Sequence, residues 1–260
     1  MFQVRSTGGM LIEHDGNFLH VDPGPGALTQ MHRIHYDPAA TGSVIISHCH
    51  PDHYSDAECV IEGMTHGGWV KRGHVYGSPT VVEGDGKLGP CLSAYHRNLP
   101  QSCETVRPGD VREIDGMKTE FFASKHSDPT NVGMSFSTEF GKVSYVSDTE
   151  FTEEIAEQYI GSRVLMLPVT TPRGNRISYH TCTDDAVLFE EIVKPELTVF
   201  IHLGVVIIRE GPESQAAWVQ EQTGMRTVAA YDRMIIDVGE KLEISDAPCF
   251  DDGWIPPSSV

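Results

Sequence analysis

The 260-residue sequence predicts a layered α/β fold in which two β-sheets lie between outer helices. Three observations carry that expectation. Strand signals come first as a meander and later in β-α-β order. No low-complexity tract, short repeat or Pro/Gly linker divides the chain, so one domain over 1–260 is expected. Chemistry-bearing residues recur just past strand ends, where a rigid scaffold presents functional groups.

Met10 to Glu13 and Phe18 to Val21 read as strands around the turn Asp15-Gly16-Asn17. Asp22-Pro23-Gly24-Pro25-Gly26 breaks the pattern before a helix from Ala27 to His35. Ser43-Val44-Ile45-Ile46 has the β-branched character of a buried strand. Ser55 then reads as the N-cap, with Glu58 at N3, of a helix reaching Met64. The Gly-, Pro- and His-rich stretch from Thr65 to Gln101 combines short strands with a long loop from Gly84 to Pro100. Strand signals return at Val111–Ile114, Lys118–Ala123, Gly133–Thr138 and Lys142–Val146. A helix from Phe151 to Ile160 and a buried strand from Arg163 to Leu167 follow. Ala186, Phe189, Ile192 and Val193 form the apolar face of a helix from Thr183 to Val193. The strand Leu197–Ile201 ends on His202. A helix from Glu213 to Thr223 and strands at Met234–Val238 and Lys241–Ile244 close the chain.

Composition narrows the partners. The formal charge is −18, from 37 acids against 19 bases, with no Lys/Arg-rich run. A protein that grips long nucleic acid presents a basic face to the phosphates, so extended DNA or RNA is not the expected partner and a small substrate is. No apolar run approaches the ~20 residues needed to span a bilayer. Met1 to Arg5 lack the apolar core of a signal peptide, which leaves the cytoplasm as the expected compartment. Six cysteines without a Cys-x-x-Cys pair argue against both a disulfide framework and a structural zinc finger.

The densest chemistry is His48-Cys49-His50-Pro51-Asp52-His53. With 13 histidines in 260 residues, three of them and an aspartate inside six positions are rare by chance. In extended geometry residues i and i+2 point the same way, so His48 and His50 can share one ion. Asp52 and His53, past the Pro51 turn, can then reach a second. Imidazole with carboxylate suits zinc, iron or manganese rather than calcium or magnesium. His126, Asp148 and His202 each follow a β-run and complete a candidate two-metal site. The Cys49 side chain should point away from its neighbours, into packing.

This pattern, His48-x-His50-x-Asp52-His53 with a distant His, Asp and His, resembles the metallo-β-lactamase-fold superfamily over Met10 to Ile244. Asp22-Pro23-Gly24 is similar to the family's aspartate-glycine turn. The resemblance implies an αββα sandwich with the metals at one edge of the two sheets. It implies that His48, His50 and His126 hold one ion, that Asp52, His53 and His202 hold the other, and that Asp148 bridges them. Zinc is the first expectation for both ions, with manganese or iron as substitutes. His50 stands where the flavo-diiron branch carries a glutamate, which disfavours a redox diiron centre.

Tyr179-His180-Thr181 ahead of a helix resembles the His-Ser-Thr element of the RNase Z and phosphodiesterase branch, and Ala229 to Met234 its closing strand. The branch's basic tRNA-gripping arm and any inserted second domain are missing. Its Gly-Thr-Gly-Gly strand survives at most as Ser6-Thr7-Gly8-Gly9. As a whole the chain resembles a small archaeal or bacterial subgroup of metal-dependent hydrolases.

The implied activity is hydrolysis of a phosphodiester in a small or nucleotide-like, anionic substrate by a water or hydroxide shared between two ions. Asp52 would be both ligand and proton acceptor, and His180 would stabilise the transition state or protonate the leaving oxygen. A lactonase or thioester hydrolase and an RNA-processing nuclease are the alternatives, and homodimers are common among such proteins. Asp22 is expected to orient a ligand histidine. Arg173 and Arg176 are either substrate contacts or solvated loop charges. Ser127 and Asp128 are expected at the site rim, while His66, His74 and His96 read as loop histidines.

Overall fold

The computed structural model describes residues 4–7 and 9–256; Gly8 of the remnant glycine motif and Met1 to Gln3 of the N-terminal segment lie outside the described residues. The alternating apolar residues of β1 (Met10–His14) and β2 (Asn17–Val21) pair antiparallel around the Asp15-Gly16 turn. β2 also pairs in parallel with β3 (Thr41–Ile46), reached through α1 (Ala27–Arg33). α1 begins at Gly26 without a cap of its own, and Asp56 supplies one from a distance by accepting from Gly26 N at 3.1 Å and Leu28 N at 3.2 Å.

Two short helices follow β3. Pro51 starts α2 (Pro51–Tyr54), where its missing N–H and fixed φ are an advantage. Ser55 belongs to the end of this turn and donates to Pro51 O, so it is not the N-cap of α3 (Ala57–Met64) expected from the sequence; Asp56 takes that place with its carboxylate turned to α1. β4 (His74–Gly77), α4 (Pro79–Val82), α5 (Ala94–Arg97) and β5 (Ser102–Thr105) fill the stretch that reads least clearly. The parallel strands β4 and β5 complete a five-stranded sheet in the order β1-β2-β3-β4-β5.

The second sheet starts as an antiparallel meander of β6 (Val111–Ile114), β7 (Met117–Ala123), β8 (Val132–Thr138) and β9 (Gly141–Tyr145). It continues as a parallel half through α6 (Glu153–Glu157), β10 (Ser162–Pro168), α7 (Thr183–Val193), β11 (Leu197–Ile201), α8 (Val205–Glu210), α9 (Pro212–Thr223) and β12 (Arg226–Ala229). The seven strands lie in the order β12-β11-β10-β9-β8-β7-β6. The segment 229–234 is not a closing strand: Ala229 ends β12, and a separate hairpin of β13 (Met234–Val238) and β14 (Leu242–Asp246) begins at Met234.

Three apolar layers hold these elements together. Leu19, Val21 and Ile45 of the first sheet meet Phe121, Met134, Phe136 and Val199 of the second. Val44 and Ile46 face the opposite way, onto Val60, Ile61 and Met64 of α3. Leu165, Leu167 and Phe200 pack outward on Ile155, Phe189 and Val219 of the second helical layer. The alternation of faces along β3 and β10 therefore specifies the αββα order. Among the described residues no helix is long and apolar enough to cross a membrane.

Candidate metal centre

Successive strands end on one edge of the sandwich, and each delivers part of the site. β3 leads into Ser47 to His53, β7 into His126, β9 into Asp148 and β11 into His202. Asp22, Ser147 and His202, just past β2, β9 and β11, take left-handed φ values of 49°, 59° and 50°. Such conformations cost about 1–3 kcal/mol each in non-glycine residues and persist where the surroundings enforce them. Gly24 is required for contact: a Cβ there would lie 1.9 Å from the carbonyl oxygen of Asp52, so only glycine lets the Asp22 turn close against the ligand loop.

All seven ligands expected from the sequence are brought together. His50 Nδ1 lies 3.0 Å from His48 Nε2 and 3.0 Å from His126 Nε2. On the other side Asp52 Oδ2 is 3.4 Å from His202 Nε2 and 3.9 Å from His53 Nε2. Asp148 Oδ2 stands between the two sets, 3.1 Å from His202 Nε2, 3.6 Å from His53 Nε2 and 4.0 Å from His126 Nε2. Donors around a four-coordinate zinc with ~2.0–2.1 Å bonds lie about 3.3 Å apart, so these separations match a metal cage. His48, His53, His126 and Asp148 are buried, whereas His50, Asp52 and His202 are half-buried and form the mouth.

The chemistry of the donors supports that fit. His53 Nε2 and Asp148 Oδ1 are buried without a hydrogen-bond partner, a costly condition that a cation between them would relieve. Burial holds His48 well below the ordinary histidine pKa and also lowers His126, leaving neutral rings with lone pairs to give. Burial works against a proton on His53 and His202, but Asp148 reverses it with help from Asp22 and Asp52 respectively, and both are raised. Burial likewise opposes charge on Asp148 and Asp52; the neighbouring imidazoles of His202 and His53 outweigh it and hold Asp148 well below the carboxylate range and Asp52 at about 2. The carboxylates thus favour protons on His53 and His202, which a cation bound at their nitrogens would displace.

The outer contacts fix which nitrogen faces inward. Asp22 accepts from Ser47 N at 2.6 Å, Ser47 Oγ at 2.7 Å, His53 Nδ1 at 2.9 Å and Tyr145 OH at 2.7 Å. Since Ser47 Oγ donates to Asp22, it accepts from His48 Nδ1 at 3.0 Å, which leaves His48 Nε2 as the metal-facing atom. His126 Nδ1 donates to Tyr179 O at 3.0 Å, and His202 Nδ1 contacts Thr170 Oγ1 at 3.1 Å. Asn131 Nδ2 donates to Asp148 O at 2.6 Å. Asp128 is buried behind the site, not on its rim: it accepts from Cys49 N at 2.9 Å and Thr80 Oγ1 at 2.5 Å, anchoring the middle of the ligand loop. Sequence reasoning missed Ser47, Tyr145, Thr170 and Asn131, because nothing local marks a core tyrosine or a strand-end threonine as a ligand holder.

His180 sits at the mouth with Nε2 3.7 Å from Asp148 Oδ2 and its ring stacked on that of His202. Its Nδ1 donates to Ser178 O at 3.1 Å, so Nε2 is the atom directed at the cluster. It does not cap α7, whose N-cap is Cys182. Cys49 is buried in the outer core of the first sheet, as its alternation predicts, and all six cysteines are free thiols. Arg173 lies over the Trp218 ring at 4.8 Å, while Arg176 pairs with Asp185 at 2.6 Å beside the site. His66, His74 and His96 join none of the ligand groups.

Residues 17–203, with this site inside them, match the beta-lactamase superfamily domain. The chain belongs to the beta-lactamase superfamily. An uncharacterized protein of Methanocaldococcus jannaschii is 36% identical over 230 residues, covering 88% of this chain and 86% of that one. Ribonuclease Z of Methanosarcina acetivorans is 25% identical over 126 residues, 48% of this chain and 41% of the relative. Among solved structures the superfamily fold is matched by YhfI of Bacillus subtilis (TM-score 0.74, 17% identity, 89% of this chain and 92% of that one). A diphosphatase of the PhnP family matches at TM-score 0.65 and 18% identity, over 86% of this chain and 81% of that one. These likenesses agree with the metallo-β-lactamase fold and with the RNase Z and phosphodiesterase branch expected from the sequence.

Proposed function

We propose that this superfamily member is a two-metal phosphodiesterase acting on a small, nucleotide-like substrate. The observation that carries the reading is His180, an imidazole at the open mouth beside the seven expected ligands, with Nε2 3.7 Å from the central carboxylate and within ligand-group distance of His126 and Asp148. His48, His50 and His126 would hold one cation and Asp52, His53 and His202 the other, with Asp148 shared between them. Two divalent ions in such a site, zinc being the best match to these donors, lower the pKa of water and neutralise charge on a phosphoryl oxygen. The residues then divide the remaining work. Asp52, ionised and half-buried, receives the proton of the attacking water. His180, held at Nδ1 by a carbonyl, delivers a proton from Nε2 to the leaving oxygen.

A ribonuclease among the sequence relatives and a diphosphatase among the structural ones support phosphate chemistry. The charge of −18 supports a small substrate over RNA. Protein loaded with zinc or manganese is expected to hydrolyse bis-p-nitrophenyl phosphate, and a chelator to abolish the activity. A higher kcat/KM on lactones or thioesters than on any phosphodiester would overturn the reading in favour of acyl hydrolysis.

A further inference from the structure

Beyond His180 the mouth continues into a cleft of about 290 Å3 lined by Glu150, Phe151, Arg176, Ile177, Ser178 and Asp185 as well as by His180 itself. That volume is at the lower end for small-molecule sites and takes a sugar phosphate rather than a polymer. Phe151 and the exposed Ile177 give it apolar walls. Three charged side chains line it, the carboxylates of Glu150 and Asp185 and the guanidinium of Arg176. Glu150 is engaged by Lys125 Nζ at 2.9 Å and by Tyr179 N at 3.4 Å.

Arg176 is set up differently. One guanidinium nitrogen pairs with Asp185 at 2.6 Å, and Asp185 is buried and fixed in turn because its carboxylate accepts from Cys182 N at 3.1 Å at the start of α7. The Arg176 side chain as a whole is 63% exposed. The guanidinium also hydrogen-bonds the Cys182 thiol, and these two partners keep its planar fork oriented while the exposed part of the side chain is left to meet a phosphate. Arg173, the other cation of this loop, is spent on the Trp218 ring.

We propose that Arg176 binds a second phosphate of the substrate, one carried on the group that lies past His180, and so selects phosphodiesters with a terminal phosphate over those without. This rests on the phosphodiesterase reading and narrows its substrate class. The test uses the zinc-loaded protein with pTpT against TpT for turnover, and thymidine 3′,5′-bisphosphate against thymidine 3′-monophosphate for calorimetric binding.

One exposed charge-assisted contact predicts about a tenfold preference for the doubly phosphorylated partner in each pair. Arg176→Gln should erase that preference through KM with kcat unchanged, and Arg176→Lys should restore part of it. A preference that survives Arg176→Gln, or no preference in the natural protein, overturns the proposal. So does an equal loss on both members of each pair, which would mark Arg176 as a brace for α7. If neither dinucleotide is cleaved while the binding preference and its loss are observed, the phosphodiesterase reading fails and the phosphate site stands.

Discussion

Replacing Asp22 by Asn tests how the centre is held without changing its size. Asp22 Oδ2 faces three donors, namely Ser47 Oγ at 2.7 Å, Tyr145 OH at 2.7 Å and His53 Nδ1 at 2.9 Å. Ser47 N at 2.6 Å binds the other oxygen, which an amide oxygen can replace. An amide NH2 in place of Oδ2 accepts nothing and donates instead. The two hydroxyls can rotate to receive it. His53 can do so only by moving its proton from Nδ1 to Nε2, the atom that faces Asp148 at 3.6 Å and the proposed second cation position. The variant therefore puts a proton where a ligand lone pair is needed. Loss of such an outer partner typically weakens metal binding 10–100-fold, about 1.4–2.7 kcal/mol. The loss should fall on the His53, Asp52 and His202 side, since His48 retains its Ser47 contact. Competition titration with a chromophoric chelator would then show one zinc bound as in the natural protein and one weakened, with the fold intact by circular dichroism. Two zinc ions bound with unchanged affinity would refute the tautomer argument.

Two further outcomes follow from the same geometry. His180→Ala should retain both metals and lower kcat on TpT, whose alkoxide leaving group needs a proton, about 10²–10⁴-fold, the usual worth of a general acid, with a much smaller loss on bis-p-nitrophenyl phosphate; full turnover of TpT with both metals bound would remove His180 from the mechanism. His20, buried on β2 with its pKa pushed down to about 4 from the ordinary 6.5, binds a proton less readily folded than unfolded. Stability from this group is therefore complete above pH 6.5 and falls by about 3 kcal/mol as the pH drops through 4. Urea titrations of chelator-treated protein at pH 7 and pH 4 should show that His20→Gln loses correspondingly less, and an identical pH dependence in the two proteins would refute it.

What was legible in the sequence follows from how local each signal is. His48 to His53 lie in one loop, so their residue types and spacing exposed the site before any fold was known. β3 and β11 were readable because their β-branched runs are buried on both faces. Thr65 to Gln101 was not: α4 and α5 are four residues each, far too short to form alone, and depend on tertiary contacts such as Thr80 on Asp128 and buried Leu92. α8 and the four-residue β12 were missed for the same reason. The N-terminus of α1 was equally hidden, because the residue that caps it lies thirty positions away.

The same distinction explains how the two sheets share the centre. The first sheet contributes its candidate ligands from a single loop after β3, whereas the second contributes one residue at a time, from the ends of β7, β9 and β11. Ligands of the first kind hold their spacing through the chain itself. Those of the second kind, His126, Asp148 and His202, are correctly placed only when the meander and the parallel half are in register. Tyr145 joins the two halves: it sits on β9, packs in the apolar layer between the sheets, and donates across that layer to Asp22. The inter-sheet core therefore does more than hold the sandwich together. Through Tyr145 and Asp22 it sets the orientation of His53 and, by way of Ser47, of His48, so the packing of the core and the geometry of the metal site are specified by the same contacts.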